Sequence, residues 1–178
     1  MNERVALIGL SGAGKTTVAP RVAARLGCDW VDLDREIARA AGADVSDLIR
    51  REGEAAFRAR EAAALRQALE EDRRSRLVVA CGGGVLSLPE SRARLKDRAV
   101  TIWLRVTPGA AARRLGGAPE ADRPLLAGDV PEARLRALWE DRRAAYEAAA
   151  TASVDTDRRS PEEVADEVVA LVREAGWA

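Results

Sequence analysis

Residues Gly9-Leu10-Ser11-Gly12-Ala13-Gly14-Lys15-Thr16 limit what this chain can be more than any other stretch. They match G-x-x-x-x-G-K-[ST], directly after the apolar run 5–8 and directly before a helical pattern, which is the strand–loop–helix setting the motif requires. Glycines at 9, 12 and 14 let successive backbone N–H groups turn inward onto phosphate oxygens, at the positive end of a helix dipole. Lys15 is then expected to bridge β- and γ-phosphates, and the Thr16 hydroxyl to bind Mg²⁺. Gly-rich turns between strand and helix are common without any ligand, but no turn needs Lys-Thr at its last two places. The stretch 12–17 (Gly12, Ala13, Gly14, Lys15, Thr16, Thr17) is therefore read as the nucleotide-binding segment.

Composition sharpens the reading of Lys15. Of 29 basic residues only Lys15 and Lys96 are lysine, so a lysine at a motif position stands out against an arginine-rich background. The 29 acids balance the 29 bases, and a chain with no net charge and 3% aromatic residues has no basic stripe for nucleic acid and no field for an anionic membrane. Cys28 and Cys81 form no metal-ligand pattern, and without histidine neither a zinc site nor a His-based triad is expected. The N-terminal apolar run is too short for a signal or a membrane span. Cytoplasmic location and a monomer are expected.

At 178 residues one core is expected, hence a single domain over 1–178. Short apolar runs alternate with Ala/Arg/Glu-rich amphipathic stretches, the βαβ rhythm of an α/β parallel sheet covered by helices. Strands are predicted at 4–8, 30–33, 77–81, 100–105 and 152–155. Helices are predicted from the loop to Leu26, at 44–50 and 52–69, after Pro89, at 107–115, 131–149 and 160–175, with Ser160 as an N-cap. The segment 35–62 reads as a substrate-side flap. The aperiodic, Gly/Pro-containing segment near 114–128 reads as a lid.

Four further groups bear on the acceptor. Asp32-Leu33-Asp34 is placed where the second strand runs out, with both carboxylates on one side. One carboxylate can hold Mg²⁺ and the other an attacking hydroxyl, although an exposed acidic turn would look the same. Phe57-Arg58-Ala59-Arg60-Glu61 follows Gly53-Glu54 on a helix, so Glu54 and Glu61 flank Arg58; taken alone this reads as a surface ion-pair helix, otherwise as an arginine aimed at a carboxylate. Cys81-Gly82-Gly83-Gly84 leaves a strand with three glycines, which suits close backbone approach to a ligand or to the phosphate loop, with Cys81 a buried small residue. Finally, Arg123-Pro124-Leu125-Leu126 lies in the lid segment, where an arginine can reach a transferring phosphate, and Arg142-Arg143-Ala144-Ala145-Tyr146 lies on the helix beyond it.

GLSGAGKT, DLD, GEAAFRARE, GGG, RPLL, RRAAY and VDTDRR, in this order over nearly the whole chain, resemble the shikimate kinases of the nucleoside-monophosphate-kinase-like P-loop group. The resemblance implies a three-layer fold with a five-stranded parallel sheet in order 2-3-1-4-5, a shikimate-binding flap and an ATP lid. It implies transfer of the ATP γ-phosphoryl group to the shikimate 3-hydroxyl. It also implies that Asp34 meets the substrate hydroxyls and that Arg58, Arg142 and the Gly82, Gly83, Gly84 backbone hold the acceptor. Thr16 and Asp32 would serve Mg²⁺, Lys15 and Arg123 the phosphates, and Arg159 with Arg114 the adenine. Cys81 and Ala144-Ala145 depart from the family pattern without removing a functional group. Gluconate kinase is the nearest rival but is not expected to carry DxD, FRxxE and GGG together; a nucleotide-responsive regulator without catalysis is expected to lack one of Lys15, Asp34 or Arg123.

Overall fold

The phosphate loop leaves a strand that is buried on both faces. The computed structural model describes residues 4–70, 76–116 and 132–177. In it β1 (Arg4–Ile8) is entirely buried and pairs in parallel with β3 (Leu77–Ala80) on one side and β4 (Val100–Arg105) on the other. Adding β2 (Asp29–Asp32) and β5 (Ala152–Asp155) at the edges gives a parallel sheet in order β2-β3-β1-β4-β5, as the resemblance implied. A sheet covered on both faces needs strands that are apolar throughout, and RVALI, LVVA and VTIWLR largely meet that need.

Alternation along the strands divides the core. Val5, Leu7, Val78, Ile102 and Leu104 face α1 (Lys15–Leu26), α6 (Pro108–Gly116) and α8 (Pro161–Glu174). Ala6, Ile8, Val79 and Trp103 face α4 (Glu54–Glu70), α5 (Pro89–Arg98) and α7 (Glu132–Ala149). Each fully buried Val or Leu contributes roughly 1.5–3 kcal/mol, so both faces are strongly anchored. A smaller cluster of Ile37, Val45, Leu48 and Phe57 ties α2 (Leu33–Ala41) and α3 (Val45–Glu52) to the start of α4.

Local signals end the elements where expected. Gly27 stops α1 in a left-handed conformation (φ 65°), and Ser160 and Glu163 close a reciprocal capping box on α8. Two expectations are corrected. The second strand ends at Asp32 rather than 33, and 33–41 is a helix, because Asp32 acts as N-cap: its Oδ1 accepts from the backbone N–H of Asp34 (3.1 Å) and Arg35 (3.2 Å). The third strand ends at Ala80, and a 3₁₀ turn, Val85–Ser87, follows the glycines. Register then sets Asp32 beside Ala80, and Ala80 beside Leu7, so the ends of β1, β2 and β3 open into one crevice.

Candidate functional site

The phosphate loop occupies the carboxyl end of β1. Gly12 (φ 83°) and Gly14 (φ 93°) are in the left-handed region, and a β-carbon on Gly12 would sit 3.0 Å from the Ala111 carbonyl oxygen, so α6 packs too tightly for a side chain there. Ala13 is buried in the turn, whose amide donates to the Leu10 carbonyl at 3.1 Å. Lys15 opens α1, and its Nζ donates to the carbonyls of Gly9 (2.7 Å) and Leu10 (3.1 Å). An ammonium carries three donors, so one remains for a third acceptor. Burial lowers the Lys15 pKa, while the nearby Asp34 and Asp32 charges oppose that shift. Thr17 lies in the first turn of α1 beside Thr16.

The Thr16 hydroxyl donates to Asp32 Oδ2 at 2.6 Å, bringing the two oxygen ligands expected for a metal together from different elements. No group of three or more His, Cys, Asp and Glu side chains stands ready for a metal among the described residues. One carboxylate and one hydroxyl are too few for a closed cage but suit Mg²⁺, which keeps waters and takes phosphate oxygens as ligands.

Asp34 sits one residue into α2 rather than beside Asp32 on a strand, yet its side chain joins the same crevice. The residue is half-buried, but its Oδ1 is enclosed and has no hydrogen-bond partner. Burial first, then the Glu61 and Asp32 charges, push its pKa up to about 7, against the pull of Lys15 and Arg58. That value places a carboxylate where a general base works best near neutral pH.

Arg58 is buried, not on the surface, and makes ion pairs with Glu54 (2.8 Å) and with the equally buried Glu61. Burial raises the Glu61 pKa despite the neighbouring Arg58. The glycine run fits against this pair. A β-carbon on Gly84 would collide with the Arg58 guanidinium, and one on Gly82 would collide with Glu61 Oε1 and lie 2.6 Å from Asp34 Oδ1. Gly83 approaches the phosphate loop, where its β-carbon would come within 3.2 Å of Ser11 Oγ. Its carbonyl accepts from Arg142 Nη1 at 2.8 Å and from the Tyr146 hydroxyl at 2.9 Å. Cys81 is buried just before the run, and burial pushes its thiol pKa well up, so it is a packing residue and not a nucleophile.

Arg114 lies on the rim of the loop, donating to the Gly12 carbonyl (3.1 Å) and the Thr156 hydroxyl (3.0 Å). Arg159 instead ties the end of β5 to α8, donating to the carbonyls of Asp155 (3.2 Å) and Glu163 (3.0 Å) and pairing with Glu167. Arg123 and residues 117–128 of the expected lid lie outside the described residues. Sequence reasoning gave no role to Tyr146. Its signal was its spacing, four residues beyond Arg142 on one helix face, in a chain with a single tyrosine.

One half of this crevice is a phosphate loop, and the other half gathers Arg58, Arg142 and Asp34 around the glycine run. That division defines a small-molecule phosphotransferase of the P-loop kinase class. Comparison with known proteins agrees. Residues 11–173 match the family model described as shikimate kinase. The chain is 43% identical over 170 residues to a shikimate kinase of Thermobifida fusca, covering 96% of this chain and 95% of that one. It is 40% identical over 172 residues to one of Symbiobacterium thermophilum, covering 97% of each. A solved shikimate kinase from Acinetobacter baumannii in complex with shikimate superposes with a TM-score of 0.89 at 32% identity, covering 97% of this chain and 94% of that one. The chain belongs to the shikimate kinase family and is an ATP-dependent kinase.

Proposed function

We propose that this chain transfers the γ-phosphoryl group of ATP to the 3-hydroxyl of shikimate, giving shikimate 3-phosphate and ADP on the route to chorismate and the aromatic amino acids. The observation that carries the reading is Asp34 Oδ1, enclosed and without a partner between Lys15 on the phosphate side and Arg58 on the other. An oxygen so placed accepts a hydrogen bond from a substrate hydroxyl. Shikimate offers both a hydroxyl for Asp34 and a carboxylate for Arg58 and Arg142.

In this reading Asp34 orients the 3-hydroxyl and takes its proton as that oxygen bonds to the γ-phosphorus and the bond to the ADP oxygen breaks. Lys15, the loop amides 12–17 and Arg123 neutralise the charge that develops on the phosphates. Gly82, Gly83 and Gly84 bring backbone against the acceptor, and Arg114 and Arg159 border the nucleotide base. Thr16 and Asp32 would hold Mg²⁺, which would supply screening of the phosphate charge. The flap at 35–62 within a single domain is supported by its own small core of Ile37, Val45, Leu48 and Phe57. A cytoplasmic monomer is supported by free thiols at Cys28 and Cys81 and by a surface on which Trp30 is the only exposed large hydrophobic side chain among the described residues. No helix among these residues is long and apolar enough to cross a membrane.

The deciding experiment measures ADP release by the purified protein with Mg-ATP and shikimate, gluconate or no acceptor. Stimulation by shikimate alone is expected; stimulation by gluconate would move the assignment to the sister kinase, and stimulation by neither would remove the proposed reaction. Lys15→Met is expected to lower kcat by about 10²–10³-fold, the scale for losing one preorganised charge-stabilising donor, and to weaken ATP binding. Unchanged ATP affinity and turnover in that variant would displace Lys15 from the phosphates.

A further inference from the structure

Tyr146 is 1% exposed and among the largest fully buried side chains, and its ring stacks on Trp103 with centroids 5.7 Å apart and planes 22° from parallel. A buried tyrosine hydroxyl needs a polar partner, and any nearby carbonyl would serve. The partner here is the carbonyl of Gly83, in the middle of the glycine run. The same carbonyl accepts from Arg142, one helical turn earlier on the same face of α7. A carbonyl oxygen has two lone pairs, so α7 fills both.

The peptide after Gly83 is thereby held by its oxygen. In a trans peptide the C=O and N–H point in opposite directions, and no cis bond occurs among the described residues, so pulling the Gly83 carbonyl onto α7 turns the Gly84 N–H away from that helix. Gly84 packs against the Arg58 guanidinium and Gly82 against Glu61 and Asp34, so rotation of this peptide would disturb the crevice on both sides. Arg142 cannot be the permanent holder if it also grips the acceptor, because a guanidinium that turns to a substrate carboxylate gives up its geometry on Gly83. Tyr146, although its hydroxyl also interacts with Arg142, is not one of the groups read as gripping the acceptor. Burial pushes its hydroxyl pKa up to about 12, so it stays a donor across the working pH range.

We infer that Tyr146 is a positioning residue for the acceptor: its hydroxyl holds the Gly83 carbonyl so that the glycine loop keeps its orientation when Arg142 exchanges that carbonyl for the substrate carboxylate. The inference rests on the reading of Arg142 and the glycine loop as the carboxylate site. It adds a residue that never touches substrate yet sets the KM for it.

Tyr146→Phe removes one oxygen while keeping the ring against Trp103. In the full chain it is expected to raise the KM for shikimate about three- to tenfold, the equivalent of one lost hydrogen bond. The KM for ATP and the melting temperature should be nearly unchanged. Arg142→Ala should raise the shikimate KM further, and the double variant should fall short of the product of the two single effects, because both act through one carbonyl. An unchanged shikimate KM in Tyr146→Phe beside a raised one in Arg142→Ala would overturn the inference and leave the acceptor site standing. So would a parallel rise in both KM values with a lower melting temperature, or failure of Tyr146→Phe to fold, since the hydroxyl would then be a donor to the core alone. Shikimate KM values unmoved in both variants would instead remove the carboxylate site itself, and the inference with it.

Discussion

Asp34→Asn is expected to lower kcat by about 10²–10⁴-fold, the range for removing a positioned general base, while ATP affinity stays close to that of the parent. The same variant should be more stable. Asp34 has a folded-state pKa raised from 3.8 to about 7, chiefly by burial. Between those values the folded chain binds more protons than the unfolded chain, so stability falls as pH rises through the window, and above about pH 7 the whole penalty is present. Asparagine cannot ionise and escapes it. The melting temperature of the nucleotide-free variant should therefore exceed that of the parent at pH 8, and the gap should close as pH approaches 4. Turnover and melting measured on the same samples check both halves. An equal loss of ATP binding would show Asp34 to be part of the nucleotide site, and a gap of the same size at pH 4 and pH 8 would mean that its buried charge is not what costs stability.

This trade of stability for chemistry bears on what could be read from the sequence. The strands 4–8, 100–105 and 152–155, the phosphate loop and the capping box at Ser160 were legible because each depends on neighbours a few residues away. The sheet order came from the family resemblance, since local patterns do not say which strands adjoin. Asp32 and Asp34 were correctly brought into one crevice by the wrong geometry. A strand was extended through Leu33, whereas the aspartate that ends β2 caps α2, and a cap and an acidic turn read alike in one dimension. Helix 33–41 was missed for the same reason. Arg58 taken alone read as a solvent-facing residue because its partners at spacings of three and four are those of any surface helix. Only the fold shows the glycine run closing over it, and only the fold shows why those glycines lack side chains.

Arg58→Ala is expected to show the second large effect, on stability and on acceptor binding together. Arg58 and Glu61 are both buried, and removing one partner of such a pair leaves an uncompensated charge, at a cost of about 3–5 kcal/mol. For a chain of this size that lowers the melting temperature by roughly 10 °C. The KM for shikimate should rise about a hundredfold, within the range for truncating a buried, hydrogen-bonded charge partner. Because a damaged fold alone can raise a KM, the single variant does not separate the two roles. Arg58→Ala combined with Glu61→Gln does, since the neutral amide removes the stranded charge but supplies no cation. The double variant should regain much of the lost melting temperature while its shikimate KM stays high. If KM recovers together with stability, Arg58 serves the acceptor only by holding α4 in place. If Arg58→Ala leaves KM unmoved from the start, the pair is a structural tie within that helix, and the substrate carboxylate must rest on Arg142 and the glycine loop alone.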